Sequence, residues 1–146
     1  MDYDSLFSQI EVIVDKDLPL MSNLSNVSAL LNKMPNINWC GFYLVKDNYL
    51  YLGPFQGEIA CTKIPYGKGV CGTSFKEKST IVVDDVNTFD GHIACSSLSK
   101  SEIVTPMLKD NKVVGVIDID SPIYYRFTAK EKEFLERVST LLSSLF

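Results

Sequence analysis

The stretch EIVTPMLKDNKVVGVIDIDSP, residues 102–122, consists of two runs rich in Val and Ile on either side of the polar pair Asp110-Asn111. Turn-forming residues between two β-rich runs predict an antiparallel hairpin. In an extended chain side chains alternate faces, so Asp118 and Asp120 are expected to point the same way, beside Val116 and Val114. Ile117 and Ile119 then point the other way. Pairing through the hairpin sets the start of one strand near the end of the next, which brings Glu102 toward the two aspartates. Either three carboxylates converge on one face, or all three sit at solvated strand ends, where acids are common.

The flanking sequence supplies the other elements. DSLFSQIEVIVDK and LSNVSALLNKM read as two amphipathic helices, the second with Leu24, Val27, Leu31 and Met34 at helical spacing and both ending before Pro35. NWCGFYLVKDNYLYLGPF reads as a second hairpin around Lys46-Asp47-Asn48. A further strand is expected over Glu58–Ile64, a glycine-spaced turn and short helix in PYGKGVCGTSFKEKS, and a short strand in TIVVDDV. Asn87–Ser101 has no clear period and reads as a long loop, of the kind that often carries function. The end, FTAKEKEFLERVSTLLSSLF, is a helix with Thr128 and Glu131 as a capping box and a stripe of Phe134, Leu135, Val138, Leu141, Leu142 and Leu145. About six strands joined by tight turns, with helices at both ends, make an α+β domain. The terminal helices should cover one face of the sheet, leaving the other to build a pocket. One domain over 1–146 is expected, since there is no repeat, low-complexity tract or linker.

Composition narrows the setting. The chain has 146 residues, 46% hydrophobic, with a net charge of -4, and its pI is about 4.9. No basic footprint invites nucleic acid or an anionic membrane. The N-terminus carries acids rather than a basic leader, and no apolar run approaches the roughly 20 residues of a membrane span. A cytoplasmic protein is expected. Cys40, Cys61, Cys71 and Cys95 include no CxxC pair, which argues against structural zinc, and without a secretory signal a permanent disulfide framework is not expected. Buried free thiols are the plain reading of each. Gly67, Gly69 and Gly72 resemble a phosphate loop only in spacing, and GKGVCG lacks its lysine-serine ending.

Several blocks carry a resemblance. INWCGFYL, LGPFQGEIACTKIPYGKGVCGTSF, DVNTFDGHIACSSLSKSEIVTPM and GVIDIDSP closely resemble the free methionine-R-sulfoxide reductases, which are built on the GAF fold. The likeness runs from about Asn38 through Phe127, with blocks in the family's order and near its spacing. It implies a single GAF-like domain with a central antiparallel sheet, terminal helices on one face and a loop-enclosed pocket on the other. It implies thiol-dependent reduction of free methionine-R-sulfoxide to methionine, with no bound cofactor or metal. Cys95 would be the attacking residue, Cys61 the leading resolving residue, and Cys71 an alternative or relay. Thioredoxin or a similar dithiol would recycle the enzyme, and the family has a tendency to form homodimers. Cys40 departs from the family's pattern, and packing is its expected role.

The chemistry joins these residues. A thiolate can attack a sulfoxide sulfur and is left as sulfenic acid, which a second thiol converts to a disulfide. Clustered acids can keep one carboxyl protonated for the sulfoxide oxygen, while another pairs with the substrate's ammonium. Glu102, Asp118 and Asp120 match the family's three binding carboxylates. Trp39 and Tyr43, four residues apart in one strand, share a face; the resemblance puts Trp39 on the S-methyl group and Tyr43 beside it, and without it they read as core aromatics. His92, the lone histidine, either lowers the Cys95 pKa or anchors the loop. Two other classes compete: a ligand-sensing GAF module, which would need neither the cysteines nor the acids and would be expected to carry an output domain, and a metal-dependent hydrolase using His92, Glu102, Asp118 and Asp120.

Overall fold

The computed structural model describes residues 1–92 and 98–146. Two helices open the chain: α1 (Tyr3–Ile13), whose N-cap Asp2 accepts from the Ser5 N–H, and α2 (Leu20–Leu31). Strands β1 (Trp39–Lys46) and β2 (Tyr49–Gln56) follow. They are joined by Asp47 and Asn48 at φ 51° and 66°, the left-handed pair that lets a two-residue turn match strand twist. Next come β3 (Lys63–Pro65), α3 (Gly69–Glu77), β4 (Ile81–Val83) and a single 3₁₀ turn over Val86–Thr88. The stretch 102–122 forms β5 (Ser101–Lys109) and β6 (Lys112–Ser121), turning through Asp110 and Asn111 at φ 52° and 62°. Helix α4 (Ala129–Ser143) closes the chain on the Thr128–Glu131 capping box.

The six strands make one antiparallel sheet in the order β3-β2-β1-β6-β5-β4. Its two faces bury different things. On one, Leu6, Ile10, Leu24, Val27, Phe134, Leu135 and Val138 of α1, α2 and α4 pack on Phe42, Ile103, Ile117 and Ile119. Cys40 lies in this core, wholly buried, and burial pushes its thiol up to about 12; its expected packing role fits that position. Glu131 ties the helices together, accepting the Tyr3 hydroxyl at 2.5 Å while Arg126 Nη1 stands 3.5 Å away. On the other face, Val70 and Phe75 of α3 pack against Tyr43, Val104 and Val116. The expected layering, terminal helices on one face and a pocket on the other, is what the chain adopts.

Two expectations need correction. The alternation that set Val114 beside Asp118 and Asp120 breaks at a β-bulge: Met107 pairs with Gly115 but Leu108 pairs with Val113. The extra residue reverses the parity below it. Val114 therefore packs toward the helices, and Val113 takes its place on the pocket side. The strand expected over Glu58–Ile64 shrinks to β3, Lys63–Pro65; ahead of it the Glu58 and Cys61 carbonyls accept from the Trp39 and Tyr43 side chains. The expected long loop starts with the 3₁₀ turn and ends at β5, and its middle lies outside the described residues. Among the described residues no helix is long and apolar enough to cross a membrane.

Candidate active site

Strand register assembles the acids. Glu102 pairs with Asp120 across β5 and β6, Trp39 pairs with Asp120 across β1 and β6, and Asp118 sits one pleat along, opposite Val104 and Gly41. Directly paired residues share a face, so all three carboxyls project into one pocket, with Asp118 and Glu102 each only 6% exposed. Burial is the main reason that each carboxyl is held well above the usual carboxylate range. Neighbouring charge adds to it: Asp120 acts on Glu102, Glu102 on Asp118, and Asp118 on Asp120. Burial and mutual repulsion both favour the protonated forms, which limits the like charge that the cluster has to carry. The Asp118 Oδ1 atom is buried and finds no hydrogen-bond donor among the described residues.

The opposite wall comes from α3. Cys71, in its first turn, is buried and carries a free thiol. Burial pushes that thiol well up, and the Asp118 charge adds to the effect. It is a poor thiolate in this state. His92 Nε2 stands 3.5 Å from Glu102 Oε1, and burial lowers the imidazole's pKa against the opposing pull of Asp118. A neutral ring follows at neutral pH, so the contact is not an ion pair there.

Aromatic side chains make the third side. The Trp39 ring stacks 5.9 Å from Tyr43 and 5.3 Å from Phe55. Its Nε1–H donates to the Glu58 carbonyl at 3.1 Å, and the Tyr43 hydroxyl donates to the Cys61 carbonyl at 2.9 Å. These two bonds fasten the segment 58–61 beside the pocket, and they occupy carbonyls that a longer strand would offer to its neighbour. Replacing Trp39 with Phe keeps most of the ring but removes the N–H. The expected result is a loss of about 1–2 kcal/mol in stability, read by thermal unfolding, and a higher KM from a loosened segment.

One part of the pocket was missed by the sequence reading. Lys68, Gly69 and Val70 line it. Lys68 is the N-cap of α3 but provides no side-chain cap, and Gly67 and Gly69 have φ 77° and 64°. Uncapped N–H groups at a helix start favour an anion. The available signal was the glycine spacing followed by a helix with no Ser, Thr, Asp or Asn at its cap.

Trp39, Tyr43, Cys71, Glu102, Asp118 and Asp120 thus meet in one pocket, together with His92 and Ser99. Cys61 lies at its margin, partly buried against the same cluster, and is disulfide-bonded. Cys95 lies outside the described residues.

The GAF domain family model matches residues 20–145, which takes in every element from α2 to α4 and with them the pocket. The free methionine-R-sulfoxide reductase of Escherichia coli is 42% identical over 144 residues, covering 98% of this chain and 87% of that protein. This chain is a GAF domain of the free methionine-R-sulfoxide reductase family. The structure of the Staphylococcus aureus fRMsr in its reduced form matches this GAF domain at 50% identity with a TM-score of 0.94, covering 99% of this chain and 94% of that one. The Neisseria meningitidis free methionine-R-sulfoxide reductase in complex with its substrate matches at 40% identity and a TM-score of 0.94, over 99% of this chain and 87% of that one. Within this GAF domain, Trp39, Tyr43, Glu102, Asp118 and Asp120 come from the face of the sheet away from α1, α2 and α4.

Proposed function

We propose that this chain reduces free methionine-R-sulfoxide to methionine. The observation that carries the reading is a cluster of three buried carboxyls, whose protonated forms burial and mutual repulsion favour, facing an aromatic wall inside one pocket. The S-methyl group packs on Trp39 and Tyr43. The substrate ammonium brings positive charge to the acids and lets one of them ionise while another keeps its proton. The substrate carboxylate faces the N–H groups at the start of α3 and the Lys68 side chain. With both ends of the amino acid engaged, a peptide chain has no exit, which favours the free amino acid over a protein-bound residue.

In this reading the Cys95 thiolate attacks the sulfoxide sulfur while Glu102, Asp118 and Asp120 protonate its oxygen and hold the ammonium. The S–O bond breaks and its oxygen leaves as water, giving a sulfonium joined to Cys95 by an S–S bond. Water then attacks the Cys95 sulfur, that S–S bond breaks, methionine leaves reduced by two electrons, and Cys95 is left as sulfenic acid. The Cys61 thiol then condenses with it, releasing water and forming a disulfide. Cys61 is favoured over Cys71 as the resolving residue because Cys71 is a free, deeply buried thiol with its proton held against Asp118, whereas Cys61 is already disulfide-bonded. Thioredoxin or a similar dithiol returns both cysteines to thiols, and no other cofactor is required. A cytoplasmic setting fits the free thiols of Cys40 and Cys71.

The test is direct. Purified protein with dithiothreitol and the R epimer of free methionine sulfoxide is expected to release methionine, and the S epimer is expected to release far less. Equal use of both epimers, or no turnover by folded, reduced protein, would overturn the reading.

A further inference from the structure

The pocket holds a mixed donor set that joins two carboxyls of the proposed reduction, Glu102 and Asp118, to the Cys71 thiol, which that reduction does not use. The Cys71 Sγ atom, one Glu102 carboxylate oxygen and one Asp118 carboxylate oxygen all lie within 4.8 Å of one another, on α3, β5 and β6. A second feature points to a ligand: Asp118 is only 6% exposed, and although its carboxyl interacts with the Cys71 and Glu102 side chains, its Oδ1 meets no donor among the described residues. A buried acceptor without a donor is costly unless something positive arrives to meet it.

We propose that Cys71, Glu102 and Asp118 form a binding site for a borderline-soft divalent cation, Zn²⁺ foremost, and that the bound ion excludes the sulfoxide from the pocket. One sulfur and two oxygens suit Zn²⁺, which is bound by thiolate and carboxylate together. Mg²⁺ and Ca²⁺ prefer oxygen alone and more ligands than are present here. Zinc–sulfur and zinc–oxygen lengths of about 2.3 Å and 2.0–2.2 Å place tetrahedral ligand atoms about 3.3–3.7 Å apart. Closing from 4.8 Å asks for a shift of about an ångström, which rotation of the Glu102 side chain can supply. Three protein ligands leave a fourth position for water. Binding exchanges the Cys71 thiol proton, and any proton on the two carboxyls, for the ion. No electrons move. The same carboxyls meet the substrate in the proposed reaction, so only the competition rests on that reading, and the ion site stands or falls apart from it.

Co²⁺ is the probe, because a cobalt–thiolate bond gives a near-ultraviolet charge-transfer band and a tetrahedral site gives strong visible bands. Titrated into reduced protein, Co²⁺ is expected to bind one ion per chain with both signatures, and Zn²⁺ to displace it. Cys71→Ser should abolish the charge-transfer band, and Cys61→Ser and Cys95→Ser should keep it. Asp118→Asn, which retains the thiol, should weaken binding at least about tenfold, with circular dichroism reporting that each variant is folded. In turnover assays using tris(2-carboxyethyl)phosphine as reductant, Zn²⁺ should raise the KM for the sulfoxide with kcat unchanged. A charge-transfer band that survives in Cys71→Ser, the absence of any band in wild type, or unaltered affinity in Asp118→Asn would overturn the site. Zinc that lowers kcat without touching KM would overturn the competition. Cobalt binding in a protein without sulfoxide turnover would leave the ion site in place and remove the reductase reading.

Discussion

Cys95→Ser is expected to abolish methionine release from free methionine-R-sulfoxide, by about 10³-fold or more. Serine has the geometry of cysteine but neither its thiolate nor its sulfur, so no sulfenic acid can form and the two-electron reduction has no donor. Cys61 and Cys71 should separate from it by reductant. With a dithiol protein such as thioredoxin, Cys61→Ser should release about one methionine per chain and stall, because no internal disulfide forms for the reductant to open. Dithiothreitol, small enough to reach the sulfenic acid itself, should restore turnover. Cys71→Ser should change kcat by less than about tenfold with either reductant, since its buried, proton-bearing thiol is poorly placed to act as a nucleophile. Quenched-flow release and mass spectrometry of the trapped disulfide read all three. Full activity in Cys95→Ser, or a stall in Cys71→Ser rather than Cys61→Ser, would reassign the roles.

Much of this arrangement is local in origin, and that part was readable in the chain. Asp47-Asn48 and Asp110-Asn111 mark their turns because those residue types accept left-handed backbone, and the Thr128–Glu131 box marks its helix start by its own hydrogen bonds. Hairpin parity then carries Glu102 to Asp118 and Asp120 without further information. The rest depends on partners distant in sequence. Ahead of β3, the Glu58 and Cys61 carbonyls are taken by the Trp39 N–H and the Tyr43 hydroxyl, 19 and 18 residues away. The extra residue at Val114 carries no local mark, since valine suits either face, and only pairing with Leu108 reveals it. The start of α3 gave its signal through a missing cap, and an absence of that kind gains meaning only when the pocket is seen to lie in front of it.

Glu102→Gln should trade activity for stability. Glutamine keeps the shape of the side chain but can neither deliver the proton that the sulfoxide oxygen needs nor share one with its neighbours, so kcat is expected to fall about 10²–10⁴-fold. The stability change runs the other way. An unfolded glutamate ionises near pH 4.3 and an aspartate near 3.9, roughly. In the fold, burial and mutual repulsion hold all three carboxyls protonated to well above those values. Above those values, then, the native state binds more protons than the unfolded chain. Stability therefore declines as pH rises, by at most about 1.4 kcal/mol per pH unit for each such group, until the cluster itself ionises. Whatever these groups contribute is complete below about pH 4 and lost on the way up. Removing one of them should flatten that decline. The variant should melt a few degrees higher than wild type near neutral pH and differ little at pH 4, as scanning calorimetry at several pH values would read. Wild-type kcat/KM should fall on the alkaline side with apparent pKa values belonging to the three acids together rather than to any one. A variant as active as wild type, or one less stable at neutral pH than at pH 4 by the same margin as wild type, would show that Glu102 is neither the acid nor a strained member of the cluster. The cost in stability and the gain in chemistry have one cause, a carboxyl kept from ionising by where the hairpin puts it.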